Sequence, residues 1–120
     1  MLHLIERYKD NVIFHVPDIC FEEGRKHVLP IALRRGITPA RGLGILDDLE
    51  QALEVVDRSL YKPYETEARA RIERRDPNDW PILATTLLLG CPLWTEDRDF
   101  FGTGVATWTT DNIEFYLRPR

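Results

Sequence analysis

One apolar segment constrains this chain more than any other. Residues 81–89, PILATTLLL, carry no charge and end at Gly90. Leu83, Leu87, Leu88 and Leu89 nearly encircle a helix of that length, so the segment predicts a buried helix. Gly90 stands where such a helix stops. An acidic knot flanks it on each side. Arg75-Asp76-Pro77-Asn78-Asp79-Trp80 precedes it, and Thr95-Glu96-Asp97-Arg98-Asp99-Phe100 follows the short apolar stretch CPLW. Hard divalent cations take oxygen ligands, usually a few carboxylates with waters and phosphates. Acids brought together from two different elements would hold such an ion.

The rest of the chain reads as elements that could surround a buried helix. Residues 1–8 predict a short helix, with Leu2, Leu4 and Ile5 on one side. Asn11 to Val16 predicts a strand through its β-forming Val12-Ile13-Phe14. Pro17-Asp18 opens a helix with proline and an acid in its first turn. Pro30 should kink or divide that helix, and Gly36 should stop it. Ile37 to Gly44 reads as a loop. Ile45, Leu46, Leu49, Leu53 and Val56 keep helical spacing, and Val55 to Leu60 stays open between helix end and short strand. After Pro63, Glu65 to Arg75 predicts a charged helix with Ala68 and Ile72 on one face. Asp76 is a candidate cap before the buried helix. Pro92 to Thr95 and Val105 to Trp108 predict strands, and Thr110 or Asp111 begins a last helix through Tyr116.

Strands separated by helices argue for an α/β fold with a mostly parallel sheet. In such sheets ligands bind beyond the carboxyl ends of the strands. Asp97 follows the predicted strand at Leu93-Trp94 directly and falls at that edge. Glu23, on the helix after the first strand, could face the same edge. The length, 120 residues, suits one domain. No apolar run reaches the ~18 residues a membrane span needs, and Met1-Leu2-His3-Leu4-Ile5-Glu6-Arg7 lacks a signal-peptide pattern. We expect a cytoplasmic protein. Cys20 and Cys91 fit no ligand spacing and read as buried fillers. His15, in an apolar run, reads as a packed residue. The formal net charge of −4 argues against nucleic-acid binding by bulk electrostatics. It leaves room for local contacts from Arg69, Arg71, Arg74 and Arg75, which crowd just before the first acidic knot. As an isolated pattern, these acids also read as helix caps and turn residues, and these arginines as a solvated helix face.

The segment RDPNDWPILATTLLLGCPLWTEDRDFFGTGVATWTT resembles the C-terminal half of a PIN domain, and VIFHVPDICFEEGRKHVLP resembles its second strand and acidic helix. The resemblance implies a three-layer α/β/α fold over residues 1–120 with a short, mostly parallel sheet. It implies a Mg²⁺- or Mn²⁺-dependent endoribonuclease that cleaves RNA with a metal-activated water, and the toxin of a toxin–antitoxin pair with a cognate antitoxin as partner. By motif, Glu23, Asp79 and Asp97 match the catalytic acids. These three and Asp99 match the metal ligands, and Glu22 is the fallback for Glu23. Asp76 and Thr95 are accessory, and Arg74 and Arg75 are the candidates to hold the RNA backbone.

The family begins with a central strand that carries an Asp ligand, in sheet order 3-2-1-4-5. Met1 falls where the family's second helix is expected, so the fold is expected to be N-terminally truncated. Either the chain is a fragment of a longer protein that supplies the strand, or the gap is filled by a homodimeric or other strand-completing partner, or the flanking strands close on each other. Taking Val12–Val16 as the first strand would make Asp18 its acid. The alternative function is a catalytically impaired PIN remnant that binds protein or RNA.

Overall fold

A computed structural model describes residues 2–119. The chain divides into two compact units, Leu2–Val56 and a second from Asp57 on.

The first unit runs α1 (Leu2–Tyr8), β1 (His15–Pro17), α2 (Asp18–Lys26), α3 (Val28–Arg35), α4 (Pro39–Ala52) and β2 (Glu54–Val56). α1 buries Leu4, Ile5 and Tyr8 and leaves Leu2 exposed. The expected start of this helix at Met1 lies outside the described residues. β1 is shorter than the expected strand: only His15 to Pro17 pairs, in parallel with Glu54 to Val56. His15 is exposed, not packed. Asp18 opens α2, and its Oδ1 accepts from the Ile19 amide at 2.8 Å. The expected division of this helical stretch falls at His27, between α2 and α3, and Pro30 sits harmlessly in the first turn of α3. Gly36 closes α3 with a left-handed φ of 66°.

The largest correction concerns residues 37–44, expected as a loop: only Ile37 and Thr38 connect the helices, and 39–44 belong to α4. Thr38 caps α4 by accepting from the Arg41 amide, and Pro39 takes the first helical position. Gly42 is there for packing. A Cβ on it would meet Val28 Cγ2 at 2.8 Å, so its absence lets α3 and α4 approach. Arg25 of α2 ion-pairs with Glu50 and Asp47 of α4 on the exposed side.

The second unit holds α5 (Arg58–Tyr61), α6 (Glu65–Ile72), α7 (Trp80–Leu89), β3 (Leu93–Trp94), β4 (Thr107–Trp108) and α8 (Glu114–Leu117), with single 3₁₀ turns at Lys62–Tyr64, Pro77–Asp79 and Arg98–Phe100. Its core is the expected apolar helix. Leu83 and Ala84 of α7, Ala68 and Ile72 of α6, and Tyr61 of α5 are all fully buried. Burial of α7 runs all round its first two turns and fades at its C-terminal end, where Leu87 and Leu88 are half-buried and Leu89 is exposed. The buried Thr85 and Thr86 donate to the carbonyls of Pro81 and Ile82, four residues back, so neither hydroxyl is stranded. α6 ends at Ile72, short of Arg75. The last helix starts later than expected, at Glu114, because Thr109 to Ile113 form turns.

β3 and β4 pair in parallel, with Leu93 against Thr107 and Trp94 against Trp108. The four strands thus make two separate two-stranded parallel sheets rather than one four-stranded sheet. The architecture is α/β with short parallel sheets, as expected. Among the described residues no helix is long and apolar enough to cross a membrane.

The two glycines inside α4 predict opposite responses. Gly42→Val drives side-chain carbons into Val28 and should destabilise by about 1–3 kcal/mol. A Cβ on Gly44 would meet only open space, so Gly44→Ala should stabilise by up to about 1 kcal/mol through helix propensity. Thermal and urea unfolding of the two variants checks the sign of each.

Candidate metal centre

Asp79 ends the 3₁₀ turn that precedes α7 and occupies the N-cap position of that helix, where its side chain makes no capping hydrogen bond. The cap of the turn itself is Asp76, whose Oδ1 accepts from the Asn78 amide at 3.1 Å. One acid is therefore consumed by backbone, and the other is spared that role.

The second acidic turn is held by the strands. The amide of Thr95 donates to the Trp108 carbonyl at 2.9 Å, continuing the β3–β4 ladder past its last paired residue. Thr95 Oγ1 then accepts from the Asp97 amide at 3.0 Å. Asp97 Oδ1 accepts from the Asp99 amide at 2.9 Å, capping the turn Arg98–Phe100. Phe100 is buried beneath, 1 % exposed, and anchors the turn. The chain from strand to acids is thus hydrogen-bonded at successive steps.

These two turns bring Asp79, Asp97 and Asp99 together. Each offers a carboxylate oxygen, and the three oxygens lie within 4.8 Å of one another. Asp79 is pushed up to about 6 from 3.8, first by burial, then by the charges of Asp76, Asp97 and Asp99, with a hydrogen bond to Asp97 adding to the effect. A carboxylate with that shift stores repulsion at neutral pH. A divalent cation would relieve it. The donors are all hard oxygens, the set that suits Mg²⁺ or Mn²⁺ rather than a soft metal.

The other expected residues stand as follows. Thr95 is engaged with the Asp97 amide, so it positions a candidate ligand. Glu23 lies on α2 in the first unit, exposed, with Lys26 at 3.6 Å and His27 at 3.4 Å. Glu22 is exposed on the same helix. Arg74 and Arg75 follow α6, and Arg75 Nη1 donates to the Arg98 carbonyl at 2.7 Å. That bond ties the arginine group to the peptide between Asp97 and Asp99. Sequence reasoning missed it, because a backbone carbonyl leaves no mark in residue identity. It also missed Glu96, which accepts from the Thr110 amide at 2.6 Å and is held below the ordinary glutamate range by the Thr110 hydroxyl and amide. Glu96 braces the ends of β3 and β4. Cys20 and Cys91 form no disulfide among the described residues, and both are half-buried rather than fully buried as expected.

The raised Asp79 makes a signed prediction in metal-free buffer. Its folded-state carboxyl holds a proton more tightly than the unfolded chain does. The contribution of Asp79 to stability is therefore fully present below the ordinary carboxylate range and is lost as pH rises from about 4 through about 6. Asp79→Asn removes no capping bond. It should melt about 2–4 °C above the parent at pH 7.5 and equal to it near pH 4, a modest gain because the site is partly solvated. Adding Mn²⁺ should stabilise the parent more than the variant. Melting curves across pH, with EDTA or with Mn²⁺, measure both effects.

The model of the family described as PIN domain matches residues 2–118. No curated protein and no solved structure matches the chain. The family match runs through both units and across both acidic turns, and on it the chain belongs to the PIN domain family, whose members are generally nucleases.

Proposed function

We propose that this protein is a Mg²⁺- or Mn²⁺-dependent endoribonuclease acting on single-stranded RNA. The observation that supports it most is the meeting of Asp79, Asp97 and Asp99 at the first turn of a buried helix. Asp79 and Asp97 would hold the ion, with Asp99 beside them. A cation held there lowers the pKa of a bound water and offsets negative charge on a phosphodiester.

The chain's own residues supply the remaining work. Thr95 fixes the backbone of Asp97 through its hydroxyl. Asp76 keeps the turn before α7 closed and leaves Asp79 free. Glu23 is assigned the orientation of the attacking water on its family resemblance. Arg74 and Arg75 are assigned to the RNA backbone. Both units are taken as one catalytic domain, because the family match spans them. On the resemblance, the protein is further read as the toxin of a toxin–antitoxin pair.

Cleavage of a labelled single-stranded RNA with added Mg²⁺ or Mn²⁺ tests the reading. Loss of a residue supporting a metal ligand commonly costs about 10–100-fold, so losing a ligand should cost at least the upper figure. We expect Asp97→Asn and Asp79→Asn to lose roughly 100-fold or more, and Thr95→Val roughly 10-fold. A folded parent that cleaves nothing and binds no metal at millimolar concentration would replace this reading with the interaction-module alternative. Growth arrest on expression, relieved by Asp97→Asn, is the expected outcome for a toxin.

A further inference from the structure

Beside the acidic turns lies a hollow of about 400 Å³, lined by Arg71, Glu73, Arg74 and Arg75 on one side and Gly102 and Thr103 on the other. Its wall is a loop built to approach arginines. Gly102 and Gly104 adopt φ of 86° and 89°, conformations that a side chain would strain. A Cβ on Gly104 would stand 2.7 Å from Arg71 Nη1. In its absence Arg71 Nη1 reaches the Thr103 carbonyl at 3.0 Å while Nη2 pairs with Glu67 at 2.7 Å. Arg71 is thereby a positioning residue that holds the loop against α6.

The other two guanidiniums are differently placed. Arg75 donates through Nη1 to a neutral carbonyl, that of Arg98, and a Cβ on Gly102 would lie 3.7 Å from its Nη2. Arg74 has no hydrogen-bond or ion-pair partner among the described residues. Three guanidiniums against the carboxylates of Glu67 and Glu73 leave one positive charge in excess. A single phosphodiester carries the complementary charge and presents oxygens that suit a guanidinium fork.

We propose that this hollow is a phosphate subsite for the RNA strand, holding one internal phosphodiester away from the scissile one, with Arg74 and Arg75 as its binding groups. Arg75 links it to the acids, because the peptide it grips joins Asp97 to Asp99. The subsite therefore registers the strand against the acidic turn by a direct hydrogen bond. The polymer's identity rests on the ribonuclease reading, but strand binding does not require cleavage.

The test is metal-free binding of a fluorescein-labelled single-stranded RNA of about twelve nucleotides in EDTA, followed by anisotropy across salt. Arg74 is exposed and has no partner among the described residues, so Arg74→Ala should fold as the parent does. We expect it to weaken binding roughly tenfold and to reduce the salt slope by about one, uniformly across sequences. Arg35→Ala, on the first unit, serves as the charge control and should change neither. A 5′-hydroxyl and a 5′-phosphate strand should bind alike, since the site takes an internal diester. Equal binding by Arg74→Ala, equal binding of a methylphosphonate strand, a strict need for the terminal phosphate, or preferential binding of a poly-glutamate peptide would each overturn the subsite. The two readings fail separately. Cleavage with KM unchanged in Arg74→Ala removes the subsite and keeps the nuclease. Arg74-dependent binding without cleavage in any divalent metal keeps the subsite and removes the nuclease.

Discussion

The burial of α7 sets where the acids stand. Its Leu83 and Ala84 are sealed against Tyr61, Ala68 and Ile72, so the helix cannot rotate or slide without opening the core of the second unit. Trp80 locks the first turn. It is 4 % exposed, with Tyr61 edge-on at 5.7 Å and the cationic heads of Arg58, Lys62 and Arg69 around its ring at 5.2–5.8 Å. Asp79 is the residue before this wedge, so its position follows from the core. The second turn is brought back by geometry. The ten-residue helix runs about 15 Å. Gly90 reverses the chain with a left-handed φ of 62°. The seven residues from there to Asp97 can retrace about 23 Å when extended, enough to return to the start of the helix.

What results is a concentration of like charge, balanced by two partial compensations. The N-terminal end of α7 carries the positive end of its helix dipole, which favours an anion at Asp79. Backbone amides do the same for Asp97, which accepts from the Asp99 amide. Neither offsets the burial and the neighbouring charges that together push Asp79 up to about 6. A cluster that remained repulsive in every state would be disfavoured over the same turns built with asparagine. On the proposed function, the free protein would bear this electrostatic cost and a bound cation would relieve it.

Much of this was legible in residue order, and the failures have physical causes. Asp79 and Asp97 could be found because each adjoins a strong local signal: a helix start and a strand end. Asp99 and Asp97 share a turn whose cap chemistry is local. Residues 37–44 misled because two glycines and a proline are ordinary loop signals. The competing signals were present in Thr38 and Pro39, a cap and a first helical residue. What could not be read was the close approach of α3, which explains Gly42 as a contact rather than a break. The strands were overlong in expectation because side-chain pattern does not fix how many backbone groups pair. His15 shows the same limit: an apolar neighbourhood in sequence placed it inside, and the structure exposes it. The tether from Arg75 to the Arg98 carbonyl lies beyond any reading of side chains.

Net charge leaves local contacts open, for a reason the second unit makes plain. A formal charge of −4 spread over the whole chain acts at distances that salt screens, since the Debye length is about 8 Å under physiological conditions. Within that range the local distribution decides. Arg71, Arg74 and Arg75 are gathered along one wall with Glu73 among them, and Arg75 also grips the turn that carries Asp97 and Asp99. The same short span therefore carries opposite fields side by side: carboxylates that attract a cation and guanidiniums that attract a phosphate. A polyanionic strand is repelled by the acids alone and held only loosely by the arginines alone. With a cation on the acids, the two fields act with the same sign on the strand. On the proposed function, strand affinity and metal occupancy would then be coupled without any change of shape, because each would lower the electrostatic cost of the other.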